Sequence, residues 1–143
     1  MKITDLSKNQ KDQLNTLLND FFSKYLDIFA VTVCTSDGFD LYSVIENSIQ
    51  KTRLLEADKI SAMSSTMCSL SAAASNHILE SDLKNTTIEA EDGSNVILLK
   101  VSFIELECVL FAAATDKVSL AELRFITKQL HSLIVLQRRH WYG

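Results

Sequence analysis

Covalent or acid–base catalysis needs a nucleophile, a base and an orienting group converging on one point. Side chains able to fill those roles are scattered through this 143-residue chain. The three histidines, His77, His131 and His140, form no pair at metal-ligand spacing. The three cysteines, Cys34, Cys68 and Cys108, contain no C-x-x-C pair and are odd in number. That pattern suits free buried thiols in a reducing compartment better than a disulfide framework or a zinc site. Cys34 has no base nearby in sequence and sits in an apolar run, so core or interface packing is its default role. Glu89, Glu91 and Asp92 read as a solvated strand end rather than a metal site. Arg53 could serve as an arginine finger in phosphoryl transfer, but an exposed loop arginine is the plainer reading. Glycine occurs only at Gly38, Gly93 and Gly143, so neither G-x-x-x-x-G-K-[ST] nor G-x-G-x-x-G is present. The backbone cradles that hold nucleotide phosphates are therefore missing. The sequence predicts no catalytic, cofactor-binding or metal-binding residues, and no enzyme.

The elements that would carry these residues belong to one globular domain over residues 1–143, with a core of about 12–135. Hydrophobic residues make up 47% and charged residues 22%, which argues against disorder. A net charge of −4 disfavours nucleic acid, which needs a basic face. The first residues have no apolar signal region, and no apolar run approaches the ~20 residues that span a bilayer. A cytoplasmic protein without direct membrane insertion is expected. The tail QRRHWYG has two readings: Arg138, Arg139, Trp141 and Tyr142 bind a membrane surface, nucleic acid or a partner groove, or they form a last helical turn folded back on the domain. Two arginines are too few for strong electrostatic binding, which favours the folded-back turn.

Along the chain, Leu14, Leu17, Leu18, Phe21, Phe22, Tyr25 and Leu26 mark one stripe of a helix with Asp12 in its first turn, ending near Asp27. A strand over 30–35, a Ser36-Asp37-Gly38 turn and a strand over 39–44 read as a hairpin. Residues 45–57 are irregular and read as a loop. Asp58 then caps a helix running to Leu79 or Glu80, whose core stripe is Ile60, Met63, Met67, Leu70 or Ser71, Ala74 and Ile78. A half-exposed strand over 84–91, a turn at Asp92-Gly93-Ser94, and two apolar central strands over 95–101 and 106–114 follow. Ser119 and Glu122 form an S-x-x-E capping box, with Val118 and Leu123 as its hydrophobic staple. The stripe Leu120, Leu123, Ile126, Thr127, Leu130, Leu133 and Ile134 continues that last helix. The order is α-β-β-α-β-β-β-α, an α/β fold whose sheet is mainly antiparallel with helices on both faces.

Three segments resemble the roadblock domain family, also called the dynein light chain roadblock family. They are the hairpin AVTVCTSDGFDLYS, the small-residue-rich EADKISAMSSTMCSLSAAASNHIL, and the meander with final helix TTIEAEDGSNVILLKV and LECVLFAAATDKVSLAELRFI. The resemblance implies a five-stranded antiparallel sheet with the central helix on one face and the terminal helices on the other. It further implies a homodimer, with central helices side by side and third strands pairing edge to edge. Bacterial relatives bind Ras-like small GTPases and stimulate or localise them, which implies a regulator or scaffold with a GTPase-activating role within reach.

The residues bear on the dimer directly. Ala62, Thr66, Ser69, Ala73 and Asn76 lie opposite or beside the assigned core stripe, flanked by Cys68, Ala72 and Ser75. From residue 61 to 77 nothing is charged apart from a histidine that can be protonated. Small uncharged residues let two helices approach closely. Thr86 and Ile88 sit on a strand that lacks, over 86–91, the Pro or Lys that commonly blunts an open edge, Lys84 giving only partial protection. These seven positions are the expected dimer or partner interface. The competing reading is a small-molecule-sensing α/β domain with a pocket lined by Met63, Met67, Phe103 and Phe111.

Overall fold

The computed structural model describes residues 2–142, with side chains as far as Gln137. After a 3-10 turn at Ile3–Asp5, helix α1 spans Lys8–Lys24. It begins earlier than expected, and Asp12 falls in its second turn. The reason is a capping box: Gln10 N–H donates to Ser7 Oγ (3.1 Å) and Ser7 N–H donates to Gln10 Oε1 (2.8 Å). The helix also stops sooner, because Tyr25 leaves helical geometry, and Leu26 is 92% exposed rather than part of the stripe. Leu14, Leu18 and Phe21 are the buried positions.

Strands β1 (Ile28–Thr35) and β2 (Asp40–Ile45) form the expected hairpin around Gly38, whose φ of +96° suits glycine. The loop expected over 45–57 is corrected. Ile45 completes β2, and a short helix α2 spans Asn47–Arg53. Glu46 caps it by accepting the amide hydrogens of Ser48 (3.0 Å) and Ile49 (2.9 Å). The Ser48 hydroxyl, and then these amides, hold the Glu46 carboxyl below the usual carboxylate range. The long helix α3 (Ala57–Leu79) ends on Glu80 in the left-handed region. It is capped at Glu56, so Asp58 sits in its first turn instead of before it.

Strand β3 is Thr86–Glu89, shorter than the expected 84–91 because the turn around Gly93 closes at Ala90, whose N–H donates to the Ser94 carbonyl (2.9 Å). Strands β4 (Asn95–Phe103) and β5 (Leu106–Ala114) follow, then α4 (Leu120–Tyr142). The capping box of α4 is present, with Glu122 N–H on Ser119 Oγ (3.1 Å) and Ser119 N–H on Glu122 Oε1 (3.3 Å). Leu133 departs from its stripe and is exposed. The readings of the tail side chains Arg138, Arg139, His140, Trp141 and Tyr142 lie outside the described residues.

The five strands are ordered β2-β1-β5-β4-β3 and every pairing is antiparallel. Alternation along the strands divides the core in two. On one face Val31, Val33, Ile97 and Leu110 pack with Leu14 and Leu18 of α1 and Leu130 and Ile134 of α4. On the other Ala30, Cys34, Leu98 and Phe111 pack with Ile60 and Cys68 of α3. The central helix therefore lies on one face and the terminal helices on the opposite one. No described helix is long and apolar enough to cross a membrane.

Candidate interaction surface

The side of α3 that meets the sheet is built from small residues. Ser61, Ser64, Cys68 and Ser75 are buried there, and Ile60 is the only large buried side chain. The Ser61 hydroxyl donates to the Asp40 carboxylate (3.2 Å), the Cys34 thiol to the Ser61 carbonyl (3.6 Å), and the Ser65 hydroxyl to the Ser36 carbonyl (2.5 Å). A Cβ placed on Gly38 would lie 3.5 Å from the Ala62 Cα, so the β1–β2 turn leans against the first half of the helix.

This geometry overturns the expected core stripe. Met67 and Ser71 are half-buried, but Met63, Leu70, Ala74 and Ile78 face outward, with Met63 55%, Leu70 68% and Ile78 72% exposed. The rule that large apolar residues face inward fails because the sheet already supplies the bulk, through Phe111 and Leu98, and small helix residues let α3 sit close above them.

All five helical positions expected at an interface, Ala62, Thr66, Ser69, Ala73 and Asn76, are exposed on the outer side of α3. Of their expected flankers, Cys68 and Ser75 are instead buried and Ala72 is half-buried. Two polar groups on that side bond within the helix: Thr66 Oγ1 donates to the Ala62 carbonyl (3.0 Å) and Asn76 Nδ2 to the Ala72 carbonyl (3.0 Å). At 100° per residue, Ala62, Thr66, Ser69 and Ala73 make a shallow groove beside a ridge of Met63 and Leu70. Thr86 and Ile88 lie on β3, an edge strand, with Thr86 half-buried and Ile88 exposed.

The remaining candidates for chemistry stay apart. Cys34, Cys68 and Cys108 are free and buried. Burial, and secondarily the Asp40 charge, pushes the Cys34 thiol up to about 11; burial pushes Cys108 to about 12 and raises Cys68 as well. Protonated buried thiols are poor nucleophiles. Arg53 ends α2 with its guanidinium 5.3 Å from the Phe29 ring centroid, a cation–π contact that accounts for its position. No group of three or more potential metal ligands gathers among the described residues. The four residues proposed to line a ligand pocket do not converge: Phe103 and Phe111 lie on opposite faces of the sheet, and Met63 is exposed. A cleft of about 550 Å³ lies instead beside α3, over Lys100, Ser102 and Glu107.

Neither a protein-family profile nor a curated protein matches the sequence. Solved structures do match the fold. MglB in a tetrameric arrangement superposes with a TM-score of 0.77 at 10% identity, covering 94% of each chain. Myxococcus xanthus MglB gives 0.73 at 13% identity, over 91% of this chain and 90% of that one. The Roadblock/LC7 domain from Streptomyces avermitilis gives 0.62 at 15% identity, over 88% and 94%. The chain has a roadblock-type fold. Within this roadblock fold, reading by residue size missed Met63, Leu70 and Ile78 as surface residues. The available signal was the run of Ser and Cys at positions 61, 64, 68 and 75, which shares one helical face and marks a close contact.

Proposed function

We propose that this chain is a non-catalytic, homodimeric interaction module that regulates or scaffolds a Ras-like small GTPase in the cytoplasm. The outer face of α3 carries the reading. It is uncharged from Ser61 to Asn76 and apolar along Met63 and Leu70, and both of these stay exposed among the described residues. A second copy fits it best, because ridge and groove lie side by side and interdigitate under a two-fold axis. The β3 edge, with Thr86 and Ile88, lies on the same molecule free to pair with its own copy. The tetrameric arrangement of one MglB neighbour shows that this fold self-associates elsewhere. The resemblance to the roadblock family supplies the partner class.

A GTPase-activating role on this surface would act by binding and reshaping the partner, since Arg53 is engaged with Phe29. The test pairs this protein with a Ras-like GTPase of the same cell, loaded with GDP or a GTP analogue. Binding at least tenfold tighter to one state is expected of a regulator, and equal affinity leaves a scaffold. The absence of binding to either state refutes the GTPase assignment. Ala73→Arg, placed in the groove of α3, is expected to leave a folded monomer in light scattering; an unchanged dimer refutes the interface.

A further inference from the structure

The sheet has an open notch that the interaction surface does not use. Strand β3 pairs with β4 only from Thr86–Leu98 to Glu89–Asn95, whereas β4 continues to Phe103. The outer edge of residues 99–103 has no strand beside it. Helix α4 crosses near this edge, and His131 Nε2 lies 3.0 Å from the Lys100 carbonyl oxygen, so that nitrogen carries the hydrogen. Between these parts is a cleft of about 300 Å³ walled by Lys84, Leu99, Lys100, Lys128, His131 and Ser132.

The charge in this notch is one-sided. Lys84 and Lys128 wall the same cleft, and Arg124 stands one helical turn before Lys128. The Lys84 charge, then contact with Lys84, burial and Arg124, lower the Lys128 ammonium below its ordinary value, and no carboxylate is among the residues that wall the cleft. Glu107 shares the adjoining cleft with Lys100 but does not wall this one. Cations gathered on one cleft, on a chain whose net charge is −4, form a local field that attracts anions.

We infer that the notch at the open edge of β4, walled by Lys84, Lys100, Lys128 and His131, is a binding site for a phosphoryl-class oxyanion. The Lys84 and Lys128 ammonium groups and Ser132 line one small space, which suits a tetrahedral dianion with several acceptor oxygens better than a planar monoanion. The space holds a phosphoryl group, and the rest of a larger ligand would project into solvent. The site lies off α3 and stands whether or not the dimer and GTPase proposals hold.

The test is an NMR titration of the full chain with inorganic phosphate and pyrophosphate at constant ionic strength, with citrate as the carboxylate control. Saturable shifts are expected at Leu99, Lys100, Lys128, His131 and Ser132. The double variant Lys84→Gln, Lys128→Gln changes only exposed side chains, and circular dichroism checks its fold. It is expected to weaken pyrophosphate at least tenfold, while Lys51→Gln changes nothing. Co-sedimentation with phosphatidylcholine vesicles, with and without phosphatidylinositol 4-phosphate, separates the sources. Capture competed by pyrophosphate assigns a lipid headgroup, and saturable pyrophosphate binding without vesicle capture assigns a soluble phosphate. Unsaturable shifts spread over Lys8, Lys11, Lys24 and Lys51, citrate binding as tight as pyrophosphate, or an undiminished double variant would each overturn the site.

Discussion

Leu70→Ala tests the outer face of α3 with a magnitude the structure supplies. Leu70 is 68% exposed in the single chain. Burying a whole leucine side chain is worth about 1.5–3 kcal/mol, so covering the exposed two-thirds is worth ~1–2 kcal/mol. A two-fold interface contains the residue twice, which makes the total about 2–4 kcal/mol, or roughly 30- to 1,000-fold in the dimer dissociation constant. Truncation to alanine removes most of that without adding charge and leaves the monomer core largely untouched, because Leu70 belongs to neither core cluster. Sedimentation equilibrium across a dilution series reads the constant, and a denaturation curve confirms that the monomer is intact. Leu26→Ala is the control: it removes a leucine that is 92% exposed but sits after α1, away from α3. A Leu70→Ala dimer within about threefold of the parent would refute the proposal, and so would a loss of equal size from Leu26→Ala.

Two other expectations concern the fold itself. The thiols of Cys34 and Cys108 titrate at about 11 and about 12 in the folded chain, above the ordinary thiol value of about 8.5, so folding favours their neutral forms. Their contribution is intact below about pH 8.5 and is lost at roughly 1.4 kcal/mol per pH unit for each thiol as pH rises toward the folded values. Urea midpoints measured from pH 7 to 10 should fall in that window, and a Cys34→Ala, Cys108→Ala chain should lose that part of the dependence; an identical slope in both refutes the assignment. Gly38→Ala should cost about 1–2 kcal/mol, because φ is +96° while its new Cβ meets Ala62 only at an ordinary 3.5 Å. A midpoint unchanged by that substitution would mean the turn relaxes to negative φ.

Elements with a strong local grammar were readable from the sequence. The Asp-Gly hairpin, the Ser119 box and the apolar runs of β4 and β5 each point to one conformation by themselves, and the structure contains all of them. The Ser7–Gln10 box carries the same grammar and was there to be read, whereas α2 was not. Its seven residues have no buried position, and its cap is a glutamate, so neither periodicity nor a preferred capping residue announces it. The extent of β3 was also hidden, since its pairing with β4 runs only from Thr86 to Glu89 although the apolar-polar alternation continues to Glu91. At the candidate surface, the five small helical positions were legible because lack of charge is a property of sequence. The outward direction of Met63 and Leu70 was not, because it depends on what the sheet presents from below.

That last difference decides how the helix should be understood. An amphipathic helix on a sheet normally turns its large apolar residues inward and its serines to water. In α3 this order is reversed, with Ser61, Ser64, Cys68 and Ser75 within and Met63 and Leu70 without. Small inward residues bring the helix axis close to the sheet, and the buried hydroxyl of Ser61 finds a partner in Asp40 only because the helix sits that close. The outward apolar residues contribute nothing to the stability of a lone chain and expose it to aggregation. Their placement has a physical rationale once another surface removes them from water. In the proposed dimer, a ridge of Met63 and Leu70 beside a groove of Ala62, Thr66, Ser69 and Ala73 would meet the same features of a second copy, without any further sequence feature. Once two α3 helices pair, the edges of both copies and their flanking turns form one broad surface, and a GTPase is proposed to read that composite rather than either chain alone.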